Sequence, residues 1–243
     1  MQTFRLKIGV LSLALAGLAN GSGITPSSAA EPHRLVVLEL FTSQGCSSCP
    51  PADALLREVA RSRDDILPLA FHVTYWNYLG WRDPFSFDGA TERQRSYARQ
   101  LAEGSVYTPQ LVVDGSTDVV GSDRAAVEGA IRRAATVARS AATIVVRRVG
   151  QEIAIDVGSG SGGGTVYVVG YDTEHRTPVG RGENGGRTLT ESSVVRGFSA
   201  AADWSGSAIG LRLPRPQGEH VAVFVQAPDG RILAAARESG DAG

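Results

Sequence analysis

Leu35-Val36-Val37-Leu38-Glu39-Leu40-Phe41-Thr42-Ser43-Gln44-Gly45-Cys46-Ser47-Ser48-Cys49-Pro50-Pro51-Ala52-Asp53 is the stretch on which the fold of this chain turns. Its first seven residues form an apolar run that reads as a buried strand. Two cysteines follow, and then two adjacent prolines, which a helix tolerates only in its first turn, where the missing N–H groups have no partner to lose. Leu55, Leu56 and Val59 share one helical face beyond them. The regular helix is therefore expected to start near Cys49, with Cys46 on the turn before it. No other cysteine occurs in the chain.

Working outward, Ile66 to Val73 reads as a second buried strand. Residues 74 to 87 are aromatic and irregular, carrying Trp76 and Trp81 and broken by Gly80 and Pro84. A charged helical pattern runs from about Thr91 to Glu103. Thr108-Pro109 precedes a strand from Gln110 that turns at Asp114-Gly115 into a partner at Asp118 to Gly121. From Asp123, an acid-capped helix places Val127, Ala130, Ile131, Ala134 and Ala138 at helical spacing. The alternation argues for an α/β layer arrangement over residues 31–140, a central mixed sheet flanked by helices, with a helical insertion at about 77–105. Past 140 the pattern becomes all-β: Thr143 to Arg148, Gln151 to Val157, Thr165 to Tyr171, His220 to Gln226 and Ile232 to Ala236. These strands are expected to build a small sandwich-like domain over 141–243.

The first 30 residues carry Arg5 and Lys7, an apolar stretch from Ile8 to Ala19 and a polar end at Ser28-Ala29-Ala30, the layout of a cleaved signal peptide. The stretch falls short of the roughly 20 residues that span a bilayer. The mature chain is thus expected to be periplasmic or secreted, without a membrane span. Without Arg5 and Lys7 the 24 basic residues fall to 22 against 25 acids, a net charge of −3 that suggests no nucleic-acid partner. Lys7 is also the sole lysine, so the mature chain has none for a Schiff base or a Walker-type phosphate loop. No cofactor motif is present, and none is expected.

Thiol–disulfide chemistry fits the cysteine pair. A thiolate at a helix N-terminus is favoured by unpaired backbone N–H groups. Cys46, the more N-terminal and expected to be the more exposed, would attack, and Cys49 would resolve the mixed disulfide. Partners would be a protein or a small thiol or disulfide. Two alternatives stand beside this: a permanently bonded pair in a non-catalytic binding module, and a copper or zinc site in which the two thiolates join His72. A closed zinc site needs four ligands and there is no second CxxC, while a histidine on a buried strand is more often a core residue.

The order of elements, the CxxC after the first strand and Thr108-Pro109 before a later one resemble the thioredoxin fold. That resemblance implies a cis Pro109 facing the cysteines, with Thr108 pairing with an extended substrate. More narrowly, residues 39–53, together with Phe71-His72-Val73, Tyr75-Trp76, Leu79-Gly80-Trp81, Asp83-Pro84-Phe85, Val106 to Gln110 and Gly182-Glu183-Asn184, are similar to an exported bacterial family catalogued as domain of unknown function 1223. It implies fold, export and a CxxC site, and no established activity. Thioredoxins usually carry tryptophan before the first cysteine; Gly45 stands there, leaving that flank small and open. Family members often have an acid where this chain has Thr74 or Asn77.

Glu39 lies close to where thioredoxins bury an acid under the pair. Buried there, it would shuttle a proton to Cys49 with a pKa raised by desolvation; on the other strand parity it turns to a polar edge. Trp76 and Trp81 line a substrate groove or fill the core. Gly180 to Arg187 lacks the lysine of a phosphate loop and reads as a long hairpin loop, able to contact the first domain or a partner.

Overall fold

The computed structural model describes residues 35–102, 104–137 and 142–239. The leader and its cleavage point lie outside them, as do Glu103 and Ala138. Strand β1, Val36–Thr42, is buried at every position. It runs parallel to β2, Ile66–His72, from Val36 beside Ile66 to Thr42 beside His72, and antiparallel to β3, Gln110–Val113. A strand covered on both faces needs consecutive apolar residues, and this explains the uninterrupted run in the sequence.

Alternation then divides β1 between two cores. Val36, Leu38 and Leu40 pack against Leu55 and Leu56 of helix α1, Pro50–Ser62, and Ile131 of helix α3, Arg124–Thr136. Val37 and Phe41 point the other way, toward Phe71 and Tyr97 on helix α2, Asp88–Gln100. Helix α3 is capped as expected, Ala126 N donating to Asp123 Oδ1 at 3.0 Å. Strand β4, Thr117–Val120, returns beside β3 through Asp114 and Gly115, at φ 51° and 65°. Positive φ is the conformation in which Asp and Gly are most readily accommodated.

Beyond residue 140, β5 (Ile144–Val149), β6 (Glu152–Val157) and β9 (Ile209–Pro214) form a small antiparallel sheet in the order β5-β6-β9. Strands β7 (Gly164–Pro178), β8 (Thr188–Trp204), β10 (His220–Gln226) and β11 (Ile232–Arg237) enter the same sheet as β1 to β4. That eight-stranded mixed sheet has the order β11-β10-β7-β8-β2-β1-β3-β4, its halves joined where Ala70 pairs with Val194. Val146, Ile153 and Ile155 of the small sheet pack on Val166, Val168 and Val223 of the large one. Beyond residue 140 the chain thus supplies a second small antiparallel sheet, while its other strands continue the α/β sheet itself.

Four elements differ from expectation, among them β9, which no expected strand covers. Helix α2 starts at Asp88 rather than Thr91, β7 extends past Tyr171 to Pro178, and β8 has no counterpart among the expected strands. Among the described residues no helix is long and apolar enough to cross a membrane.

Candidate functional site

Strand β1 delivers the chain to a tight turn, with Cys46 N donating to Ser43 O at 3.1 Å and Cys49 N to Cys46 O at 3.2 Å. Cys49 caps α1, and Pro50 and Pro51 occupy its first turn. Cys46 and Cys49 form a disulfide, with Cα atoms 5.5 Å apart. Both are buried, Cys46 at 1% and Cys49 at 0% exposure, so Cys46 is not the open thiol expected from its position. Thr108 Oγ1 donates to Cys46 Sγ at 3.2 Å, and Ser48 Oγ lies 3.3 Å from the same sulfur. The Thr108–Pro109 bond is cis. Trp76 Nε1 holds the Thr108 hydroxyl at 2.8 Å, and Ser48 Oγ donates to Thr108 O at 3.4 Å.

Trp76 also fills the flank that Gly45 leaves open in the sequence. A Cβ at Gly45 would lie 3.0 Å from Trp76 Cβ and 3.1 Å from Trp76 O, closer than a side chain permits without displacement. The aromatic segment thus supplies both a wall beside Cys46 and the donor that fixes Thr108.

Glu39 sits on the opposite face of β1. There it forms a buried ion pair with Arg93, whose Nη2 donates to Glu39 Oε1 at 2.8 Å, and accepts from Tyr97 Oη at 2.6 Å. Five aromatic rings surround the Arg93 guanidinium at 4.4–5.6 Å. The structure brings Cys46, Cys49, Thr108 and Pro109 together and puts Glu39 in this separate pair.

The acid on the cysteines' own helix is Asp53, four residues after Cys49 and therefore on the same helical face. It is buried and accepts from Thr42 Oγ1 at 2.8 Å. Burial, reinforced by the charge of Glu191, pushes its carboxyl up to about 7. Next to Thr42, His72 is buried with Nδ1 2.7 Å from Asp83 Oδ2. Burial alone would lower the imidazole, but the charge and hydrogen bond of Asp83 lift it to about 9. Burial works on Asp83 in the opposite sense and is outweighed by His72 and the N–H groups of Gln44 and Phe85, at 2.8 and 2.9 Å, which hold its carboxyl low. Glu191 is raised by burial and accepts from Gln44 Nε2 at 2.9 Å. His72 Nε2 has no hydrogen-bond partner among the described residues. Among those residues no group of three or more His, Cys, Asp or Glu is placed to hold a metal ion.

The hairpin tip between β7 and β8 completes the site. Asn184, buried, donates from Nδ2 to Gln44 O at 3.0 Å and Cys46 O at 2.9 Å. Glu183 Oε2 accepts from Ser47 N at 2.9 Å, and Arg187 Nη1 donates to Asn184 Oδ1 at 2.7 Å. Trp81 Nε1 donates to Gln44 Oε1 at 2.9 Å. Reading the residues singly does not assign Asp53, Asp83, Glu191 or Asn184 to the site. Their available signals are the i, i+4 spacing of Asp53 from Cys49 and the Asp83 and Asn184 motifs quoted above.

The fold and its buried cysteine turn are those of a mixed α/β protein with a disulfide at a helix N-terminus. The chain belongs to the family described as "Protein of unknown function (DUF1223)", whose model matches residues 37–226. It is similar to the crystal structure of protein AGR_C_4864 from Agrobacterium tumefaciens, with 32% identity and a TM-score of 0.73 over 86% of this chain and 95% of that one. HBP35 of Porphyromonas gingivalis resembles it in fold, with a TM-score of 0.58 at 15% identity over 87% of this chain and 76% of that one. No curated protein matches the chain.

Proposed function

We propose that this protein is an exported thiol–disulfide oxidoreductase of thioredoxin-like architecture. The observation that carries the reading is the Cys46–Cys49 disulfide at the start of α1, with Thr108 of the cis Thr108–Pro109 unit bonded to Cys46 Sγ. The parallel β1–α1–β2 unit, the antiparallel β3–β4 hairpin and α3 support the architecture. Export rests on the leader sequence.

In the direction that oxidises the protein's thiols, the Cys46 thiolate attacks a substrate disulfide and expels one substrate thiolate. Cys49, deprotonated to Asp53, then attacks Cys46 Sγ, re-forming the Cys46–Cys49 bond and expelling the second thiolate. Two electrons pass to the substrate, whose thiolates take up protons from solvent. The reverse sequence oxidises a substrate dithiol. An Asp53 carboxyl near 7 is matched to accepting and returning that proton at neutral pH.

The burial of both sulfurs favours one competing reading, a binding module with a fixed disulfide. Incubation with dithiothreitol and glutathione buffers separates the two. A reductase or oxidase equilibrates Cys46 and Cys49 with the buffer and loses exchange in Cys46→Ser. A pair that stays oxidised in excess dithiothreitol while the protein remains folded refutes the oxidoreductase reading.

A further inference from the structure

We infer that Glu183, on the hairpin between β7 and β8, is a positioning residue that withholds backbone stabilisation from the Cys46 thiolate and so biases the pair toward the disulfide. This rests on the oxidoreductase reading and adds a determinant of its equilibrium. A thiolate at a helix start is stabilised by the N–H groups around it. Here, among the described residues of the turn, that supply comes down to the N–H groups of Ser47 and Ser48. Pro50 and Pro51 have no N–H, Ala52 N and Asp53 N both donate to Cys49 O, and Cys49 N donates to Cys46 O. Ser47 N, covalently next to Cys46, is taken by the Glu183 carboxylate at 2.9 Å.

The same contact sets a negative charge on the order of 6 Å from Cys46 Sγ, judged from covalent geometry. Glu183 is exposed, and the hydrogen bonds from Ser47 hold its carboxyl below the usual range, so it is ionised at neutral pH. Asn184 fixes the geometry from the adjacent position, its amide bridging Gln44 O and Cys46 O. The hydroxyl of Thr108, which donates to the sulfur at 3.2 Å, acts in the opposite direction. The other titratable groups around the turn are Asp53 on α1, His72 on β2, Asp83 after it, Glu191 on β8 and Arg187 on the hairpin. All of them are retained when Glu183 alone is changed.

The test compares the full mature protein with Glu183→Gln, which removes the charge, and Glu183→Ala, which also frees Ser47 N. Folding is checked by the denaturation midpoint, and the Cys46 thiol of the reduced protein is titrated by thiolate absorbance. Its pKa is expected to fall by about 0.5 in Glu183→Gln and further in Glu183→Ala, the size of one exposed unit charge acting at that distance through water. In a glutathione buffer the reduced fraction relative to oxidised is expected to rise roughly threefold, because a stabilised thiolate favours the reduced pair. A folded variant whose thiol titrates unchanged or higher overturns the inference and leaves the oxidoreductase reading intact. A pair that does not exchange with thiol buffers at all overturns both.

Discussion

Replacing Asp53 by Asn should make the protein more stable at alkaline pH, with a smaller effect in mild acid. The carboxyl sits at 3.8 in the ordinary state and at about 7 in the fold, raised chiefly by burial and then by Glu191. A carboxyl raised in the folded state carries no penalty below its unfolded value; the penalty grows as pH climbs from there and is complete above the folded value. Between about pH 5 and about pH 8 the penalty increases by ~2.5 kcal/mol at ~1.4 kcal/mol per pH unit. His72 acts in the opposite sense. Its raised pKa stabilises the fold fully below 6.5, and the contribution disappears as pH passes about 9. Asp53 is one source of that rise, so the Asp53→Asn substitution weakens it, but by nearly the same amount at both pH values, and the expected change stays at ~2.5 kcal/mol. The amide retains an oxygen to accept from Thr42, which limits structural side effects. Urea unfolding of both proteins with the disulfide intact, near those two pH values, measures the gap. A gap between variant and parent that does not widen in favour of the variant with rising pH refutes the reasoning.

Arg93→Leu leaves Glu39 charged and buried without its cation, and should cost ~3–5 kcal/mol in urea unfolding. Thiol exchange per folded molecule should be unchanged, because that pair lies across the sheet from the cysteines. Asp83→Asn removes the largest charge that opposes burial, so the His72 ring, lifted to about 9 in the parent, should titrate at a clearly lower pH by NMR. Trp76→Phe removes the donor that fixes the Thr108 hydroxyl and should slow exchange with dithiothreitol roughly fivefold, the kinetic equivalent of ~1 kcal/mol. Gly115→Ala should destabilise by more than ~2 kcal/mol, since the residue has positive φ and the added carbon meets the Gly230 carbonyl; equal denaturation midpoints would contradict this.

The first half of the fold was legible because its signals are local. The apolar run of β1, the Pro50-Pro51 start of α1 and the Asp123 cap each announce an element by residue type alone. Strand β8 is different in kind. Its stretch from Ser199 to Asp203 is made of Ser, Ala and Asp, residues with little preference for a strand, and it is extended by pairing along β7 through two register shifts. Glu39 illustrates a second limit. Counting seven residues back from Cys46 places it near the pair in sequence, but strand parity decides which layer a side chain joins, and Glu39 shares the parity of Val37 and Phe41. Thr42 has the other parity, which is why Asp53 meets Thr42 on the α1 face.

The hairpin contacts were beyond any local pattern, since Ser47 and Glu183 are 136 residues apart and Gln44 and Glu191 147 apart. They nevertheless account for groups in the cysteine turn that the turn itself does not fully pair. A buried carbonyl without a partner costs stability. Asn184 donates to the Gln44 carbonyl and shares the Cys46 carbonyl with Cys49 N. The Gln44 side chain is likewise held between Trp81 and Glu191. The geometry of the cysteine turn is therefore a product of both halves of the chain, which meet along β2 and β8 and again at the hairpin tip. A chain ending near residue 140 would keep Cys46, Cys49, Thr108 and Pro109 yet lose the groups that hold the turn in shape and, through Glu183, the one placed to bias its chemistry.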